Sequence, residues 1–208
     1  MINEIQTQKK VVAITFDDGP NPIYTPKVLK IFSQAKGKAT FFMIGEQMRN
    51  YPELVQQVAA LGHEIGNHTY THQKLSLLSY EDCLSEIEKT ERLIEKLIGI
   101  KPTVFRPPFM DYHEDMVSLL QQKGYTMIGA LNLMAQDWGQ PGVDHILKTT
   151  RNVIKNGSIL IFHDGYGNRS QTINAIQILV AELREQGYQL LTVSELLDLD
   201  KKEEAEVK

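Results

Sequence analysis

Short apolar runs alternate with longer segments of helical period along almost the whole chain, and this alternation restricts the possible folds more than any other feature. It is typical of βαβ units and a parallel sheet. Seven strands are predicted, at Val11–Phe16, Ala39–Ile44, His63–Asn67, Thr103–Arg106, Thr126–Leu131, Ser158–Phe162 and Gln189–Val193. Six helices are predicted, near Thr25–Ser33, Pro52–Leu61, Tyr80–Ile98, Glu114–Lys123, Val143–Ile154 and Thr172–Gln186. Strands joined in this way form either an open doubly wound sheet or a βα barrel.

The ends of the predicted helices agree with the periodicity. Glycines that would form left-handed C-terminal caps follow several of them, at Gly62, Gly99, Gly124 and Gly187. The helix Tyr80–Ile98 has an apolar side that should cover the sheet and a charged side that we expect to be solvated.

The length of 208 residues suits a single α/β domain. A hydrophobic content of 42% and a charged content of 23% are near the averages for soluble globular proteins. We expect residues 1–10 to be an N-terminal extension and residues 11–198 to form the domain. Residues 199–208 are almost wholly charged, and a disordered tail is predicted there.

Charge and cysteine content exclude several classes of function. The net charge is −4 and no cluster of Lys and Arg is present, so nucleic acid is not an expected partner. The single cysteine, Cys83, excludes an internal disulfide and a cysteine-rich zinc site, so any metal must bind to histidines and carboxylates. We expect a monomer.

The first ten residues contain no apolar core of a signal peptide, and the sequence has no apolar run long enough to cross a membrane. Two compartments remain open. The protein is cytoplasmic if the sequence is complete, and it belongs to the cell wall or another extracytoplasmic site if a leader has been removed.

Ionisable residues cluster after the predicted strands rather than before them. They stand in TFDDGP after the first strand, HTYTH after the third, FRPP after the fourth, Asp137-Trp138 after the fifth and His163-Asp164 after the sixth. The carboxyl ends of the strands of a βα barrel form one face, so these residues would converge on one site. The clustering favours a barrel, because an open sheet would spread the same residues along a wider edge.

His68 and His72, together with one aspartate, suit Zn²⁺ or a similar divalent ion and would leave a coordination position for water. Such an ion lowers the pKa of its water to roughly 7. The alternative is a pair of surface histidines in a turn.

Asp17 and Asp18 are adjacent at the end of an apolar strand. Adjacent carboxylates are commonly solvated turn residues, but at this position a cation or an arginine such as Arg106 would have to compensate their burial. Successive residues of an extended chain point in opposite directions. One aspartate should therefore bind metal and the other should act as a base.

His163 follows the buried strand Ser158–Phe162. A histidine beside an apolar run is commonly a hydrogen-bonded core residue. A buried carboxylate from Asp137 would instead raise its pKa and fix its orientation. The resulting imidazolium could protonate a leaving amine.

These motifs resemble those of the NodB-like polysaccharide deacetylases, the fourth carbohydrate esterase family. TFDDGP is highly specific, HTYTH is similar to the family's H-[ST]-x-x-H, and ATFFMIG and GHEIGNH are also typical. The resemblance covers Val11 to Val193. It implies a distorted (β/α) barrel of seven strands and a metal-dependent N-deacetylase that acts on peptidoglycan or chitin oligomers.

The resemblance also implies a role for each matching residue. Asp17 would be the base, and Asp18, His68 and His72 would bind one divalent ion, zinc first and Co, Ni or Mn as alternatives. The remaining roles would be Arg106 to orient Asp17, His163 as the acid, Asp137 to tune His163, Phe109 as a backbone donor to the oxyanion, and Trp138 and Ile161 to enclose the acetyl methyl group.

The sequence departs from the family pattern at two places. Phe109-Met110 stands where the family has Tyr-Gly, and a methionine in place of glycine would strain or reshape this loop. Met134 and Leu131 stand where an aspartate and a tryptophan are common. These departures put the substrate in question rather than the reaction.

Rival readings also remain. The chain could be an acetylxylan esterase or small-amide hydrolase of the same fold, or a glycan-binding module without turnover. An aspartyl-phosphate phosphatase is set aside, because its aspartates alternate as D-x-D.

Overall fold

A computed structural model describes residues 1–206, with side chains described through residue 202. Its strands are β1 (Val11–Asp17), β2 (Thr40–Met43), β3 (Glu64–Asn67), β4 (Val104–Phe105), β5 (Thr126–Met127), β6 (Ser158–His163) and β7 (Gln189–Leu191). Its helices are α1 (Thr25–Ala35), α2 (Gly45–Asn50), α3 (Pro52–Ala60), α4 (Tyr80–Ile98), α5 (Asp115–Gln122), α6 (Val143–Arg151), α7 (Ser170–Glu185) and α8 (Val193–Glu206). All seven predicted strands and all six predicted helices are present. The short helix α2 and the helix α8 were not predicted.

The strands form one parallel sheet in the order β5-β4-β3-β2-β1-β6. β7 pairs with residues 11–13 of β1. On the same edge of β1, β2 pairs with residues 15–17. On the other edge of β1, β6 pairs in register along its whole length, so that Asp17 lies opposite His163. The prediction of a distorted seven-stranded βα barrel in one domain is confirmed.

The N-terminal segment Ile2–Ile5, which we call the strap, lies in the gap between β5 and β6. Ile2 forms a parallel bridge with Ile128, and Glu4 forms an antiparallel bridge with Ser158. Part of the predicted N-terminal extension is therefore integrated into the wall of the barrel.

The buried strand β1 separates two apolar layers. Val12, Ile14 and Phe16 belong to the layer between the sheet and the surrounding helices. Val11 and Ala13 belong to a smaller cluster inside the barrel. Because side chains alternate along a strand, Thr15 and Asp17 continue the inner row. A carboxylate is thereby placed at the end of the barrel interior.

The helix α8 occupies the region where the sequence suggested the end of a strand followed by a disordered tail. Its first turn forms a capping box, in which Thr192 and Glu195 each accept a hydrogen bond from the backbone N–H of the other at 3.1 and 2.8 Å. Val193 and Leu196 are buried in the inner cluster. This helix extends through residues 199–206 of the segment where a disordered tail was predicted, and residues 207–208 lie outside the described part of the chain.

The four glycines expected to cap helices have positive φ angles between 71° and 85°. Within the described range, no helix combines the length and apolar character that a membrane crossing requires.

Candidate active site

The carboxyl ends of the strands surround a cavity of about 650 Å³, which contains most of the predicted site residues. Its walls are formed by Asp17, Asp18, His68, His72, Pro107, Phe109, Met110, Leu133, Gln136, Trp138, Ile161, His163 and Tyr166. The two other predicted residues, Arg106 and Asp137, are buried behind this wall and contact Asp17 and His163.

Asp18, His68 and His72 each offer one ligand atom, and the three atoms lie within 4.8 Å of one another. Asp18 Oδ1 is 3.1 Å from His72 Nε2 and 3.5 Å from His68 Nε2. This oxygen is buried and accepts no hydrogen bond among the described residues. Burial raises the pKa of Asp18, but the two adjacent imidazoles outweigh it and hold that pKa well below its usual range.

The orientation of His68 also suits a metal ligand. Its Nδ1 lies 2.7 Å from the backbone carbonyl oxygen of Arg106, an acceptor, so Nδ1 carries the proton. The lone pair of Nε2 then faces Asp18. A buried carboxylate oxygen without a donor, beside nitrogen lone pairs, is a donor set that fits a divalent cation.

The loop between the two histidines is held by a carboxylate from α4. Glu86 accepts hydrogen bonds from the backbone N–H groups of Tyr70 and Thr71, at 2.9 and 2.7 Å. His72 itself has a φ of 62°, in the left-handed region that side chains rarely adopt. The charged side of α4 was expected to be solvated, but Glu86 instead fixes the shape of this loop.

Arg106 is completely buried and binds Asp17. Its Nη1 donates to Asp17 Oδ1 at 2.7 Å and to Thr15 Oγ1 at 2.6 Å. Nε and Nη2 donate to the carbonyl oxygens of Ile128 and Gly129, at 3.3 and 2.8 Å. A buried ion pair is tolerated when further hydrogen bonds satisfy both ions, and this guanidinium meets that condition.

Asp18 turns sharply away from the strand direction of Asp17, with a φ of 73°. The turn packs against Gly165, where an added Cβ would lie 1.9 Å from the carbonyl oxygen of Asp18. The two carboxylates therefore reach the same cavity with different partners. Asp17 is paired with Arg106, and Asp18 faces the two imidazoles.

His163 is held by Asp137 through both its side chain and its backbone. Asp137 accepts from Nδ1 at 2.8 Å and from the His163 N–H at 2.9 Å, and Thr172 donates to the same carboxylate at 2.9 Å. Burial lowers the pKa of His163, but Asp137, with Asp17 and Asp18 adding to its effect, raises it to about 9. At neutral pH this side chain is an imidazolium whose Nε2 remains available.

The loop that departs from the family pattern is strained as expected. Phe109 and Met110 have φ angles of 59° and 56°, and the ring of Phe109, 61% exposed, lies 4.7 Å from that of His72. Of the second departure, Met134 is 71% exposed, and neither Met134 nor Leu131 lines the cavity. Trp138 is also exposed and forms part of the rim, whereas Ile161 is buried.

Several wall residues were not predicted. The ring of Tyr166 lies 5.8 Å from that of His72, and its position three residues after His163 was the one signal that pointed to it. Leu133 and Gln136 belong to the irregular segment after β5, whose approach to the cavity depends on tertiary structure.

The sequence and the fold both match those of known polysaccharide deacetylases. The family model for polysaccharide deacetylase matches residues 4–128. The chain is 42% identical over 195 residues to a peptidoglycan-N-acetylglucosamine deacetylase of Bacillus cereus, covering 93% of this chain and 91% of that protein. It is 33% identical to a chitooligosaccharide deacetylase of a Bradyrhizobium species, covering 89% and 90%. The crystal structure of the Bc1960 peptidoglycan N-acetylglucosamine deacetylase superimposes with a TM-score of 0.89 at 29% identity, covering 93% of this chain and 91% of that one.

Proposed function

The chain belongs to the polysaccharide deacetylase family and is a deacetylase enzyme, and from this premise we propose that it removes N-acetyl groups from N-acetylglucosamine or N-acetylmuramic acid units of peptidoglycan or chitin oligomers, releasing acetate. One observation carries the proposal. Three side chains that could hold a divalent cation lie in one cavity, between a carboxylate bound by arginine and a histidine bound by aspartate. Its relatives that act on peptidoglycan and chitooligosaccharide support a glycan substrate.

We assign Asp18, His68 and His72 as ligands of one divalent ion, with zinc as the first expectation and Co, Ni or Mn as alternatives. When bound, the ion would polarise the acetyl carbonyl and lower the pKa of a water molecule to roughly 7. The buried Asp18 oxygen without a hydrogen-bond donor supports this assignment.

Asp17 acts as the general base in this proposal. Arg106 fixes one of its oxygens, Oδ1, and the other, Oδ2, lies 3.7 Å from His68 Nε2, on the side of the ligand set. Oδ2 is therefore placed to take a proton from water as that water attacks the acetyl carbon. The backbone N–H of Phe109 would stabilise the negative charge that develops on the acetyl oxygen.

His163 acts as the general acid. Its pKa of about 9 keeps the proton on the ring at neutral pH, and Asp137 fixes the ring orientation. Nε2–H can then protonate the sugar nitrogen as the carbon–nitrogen bond breaks. Trp138 and Ile161, on the cavity wall, would enclose the methyl group of the acetyl substituent.

The test is an acetate-release screen over chito-oligosaccharides, peptidoglycan fragments and acetylxylan, with the chelated protein resupplied with Zn²⁺, Co²⁺, Ni²⁺ or Mn²⁺. We expect release from the N-acetylated glycans, loss on chelation and recovery with metal. Release from acetylxylan or a small amide alone would replace the substrate assignment with the esterase or amidase alternative. Metal binding without release from any substrate would favour a glycan-binding module.

A further inference from the structure

The strap is hydrogen-bonded to both strands that border the gap in the sheet. Toward β5, the N–H of Ile2 donates to Met127 at 2.9 Å, and the carbonyl of Ile2 accepts from Gly129 at 2.8 Å. Toward β6, Ile5 donates to Gly157 at 3.0 Å, and Asn3 accepts from Ile159 at 3.1 Å. The strap therefore continues the wall of the barrel by backbone pairing on both sides.

The β5 side of this pairing leads directly to Arg106. The N–H of Gly129 is bonded to Ile2, and the carbonyl of Gly129 accepts from Arg106 Nη2. The neighbouring carbonyl of Ile128 accepts from Arg106 Nε. Because β5 ends at Met127, both carbonyls lie beyond its short ladder. The backbone of these two residues is held on the β4 side by the hydrogen bond from the Ile128 N–H to the Phe105 carbonyl. On the other side it is held by the hydrogen bond from the Gly129 N–H to the strap.

Side-chain packing also links the strap to Arg106. Ile5 is buried in the inner cluster together with Phe42, and the Arg106 guanidinium carbon lies 4.2 Å from the centroid of the Phe42 ring. A glycine allows the strap to lie close to the start of β6. A Cβ at Gly157, where φ is 81°, would lie 2.2 Å from the carbonyl oxygen of Ile5.

We propose that the strap is a positioning element for the base Asp17. It fixes the carbonyl groups of residues 128–129, these fix the Arg106 guanidinium, and Arg106 fixes the carboxylate. The inference rests on the proposed function. The strap makes no contact with Asp18, His68 or His72 through any of the bonds described above, so loosening it should reduce turnover without weakening metal binding.

The experiment compares two full-length variants with the unmodified protein. Ile2→Pro removes the N–H that bonds to Met127 and disturbs the pairing with Gly129. Glu4→Gln is the matched control, because it removes the ion pair of the Glu4 side chain with Lys155 and leaves the backbone hydrogen bonds of the strap in place. Acetate release from a chito-oligosaccharide gives kcat and KM, calorimetric titration with Zn²⁺ gives metal affinity, and near-UV circular dichroism gives the folded fraction to which the rates are referred.

We expect kcat of Ile2→Pro to fall about tenfold, and by roughly 100-fold at most, with KM and Zn²⁺ affinity unchanged. Glu4→Gln should match the unmodified protein. If Ile2→Pro does not fold, Ile5→Pro, which loses the bond to Gly157, is measured instead with the same expected direction. An unchanged kcat, or a fall in kcat that only parallels weaker Zn²⁺ binding, would overturn the inference. Absence of turnover in the unmodified protein would instead count against the proposed function.

Discussion

The two ends of the barrel differ in how they use left-handed backbone. At the amino ends of the strands, which we call the floor, glycines such as Gly62, Gly99, Gly124 and Gly187 occupy the positive-φ positions. At the carboxyl ends, which we call the mouth, the positive-φ positions include Asp18, Thr69, His72, Phe109, Met110, Gln136 and Tyr166. A non-glycine residue in this region costs about 1 kcal/mol or more. Apart from Lys36, the left-handed C-cap of α1, the floor avoids this strain, whereas the mouth accepts it where side chains must point into the cavity.

The two ends also differ in what they bury. The floor is closed by apolar side chains, among them Ile5, Val193 and Leu196. The mouth buries ionisable groups such as Asp17 and Arg106, each of which needs a specific partner. Substitutions at the mouth should therefore change chemistry, and truncation of floor side chains outside the strap, such as Val193 and Leu196, should change only stability.

The largest effect on activity is expected from Asp17→Asn. Loss of the general base should lower kcat by roughly 10³-fold in an acetate-release assay. The variant should remain folded, because Arg106 keeps its bonds to Thr15, Ile128 and Gly129. Asp144→Asn, an exposed change on α6, is the control and should have full activity. Full activity of Asp17→Asn would remove the base from the mechanism.

Glu86→Ala should weaken metal binding, because the loop that carries His72 loses the acceptor for two of its N–H groups. We expect the Kd for Zn²⁺ to rise by roughly 10- to 100-fold in a calorimetric titration. Glu95→Ala, an exposed change on the same helix, should leave the Kd unchanged. Equal affinities in the two variants would show that the loop holds its shape without α4.

Asp137→Asn should narrow the pH range of activity. In the unmodified protein the pKa of His163 is raised to about 9, so if His163 is the acid, kcat/KM should fall as pH rises through that value and the imidazolium is lost. Without the Asp137 charge, this alkaline limb should move down toward about 6.5. A pH profile of kcat/KM measures the shift. An unmoved limb would mean that His163 is not the acid.

Leu196→Ala tests the floor and should have the smallest effect on activity. Removing this buried side chain should lower the free energy of unfolding by about 2–5 kcal/mol, as measured by urea denaturation. The value of kcat per folded molecule should stay the same at 25 °C. A fall in kcat without loss of folded protein would break the distinction between the two ends.

Regular elements with a clear period were predictable from the sequence. The bounds of α4 match the prediction to the residue, because its apolar spacing and the following Gly99 agree. The helix α8 was missed even though Thr192 to Glu195 has the spacing of a capping box, because the charged residues that follow suggested disorder. The strap was missed for a different reason. Its short segment has no marked period, and its place depends on a gap in the sheet that only the tertiary structure creates.

The candidate site residues that belong to recognisable sequence motifs were predictable. Asp18, His68 and His72 meet around one point, and Asp17 and His163 line the same cavity. Sequence could not identify Glu86, because a helical glutamate that binds a loop resembles one that faces solvent. It could not place Gln136 or Tyr166 either, since their contribution depends on how irregular loops fold back over the strand ends.

The register between β1 and β6 places Asp17 and His163 on the same rung of one ladder. Neighbouring strands lie about 4.8 Å apart, so the sheet itself spaces the two residues that we propose as base and acid. Loops around the rim can therefore be changed to alter the substrate while this spacing is kept. A protein engineer seeking a new specificity would alter the segment after β5 and leave the ladder intact.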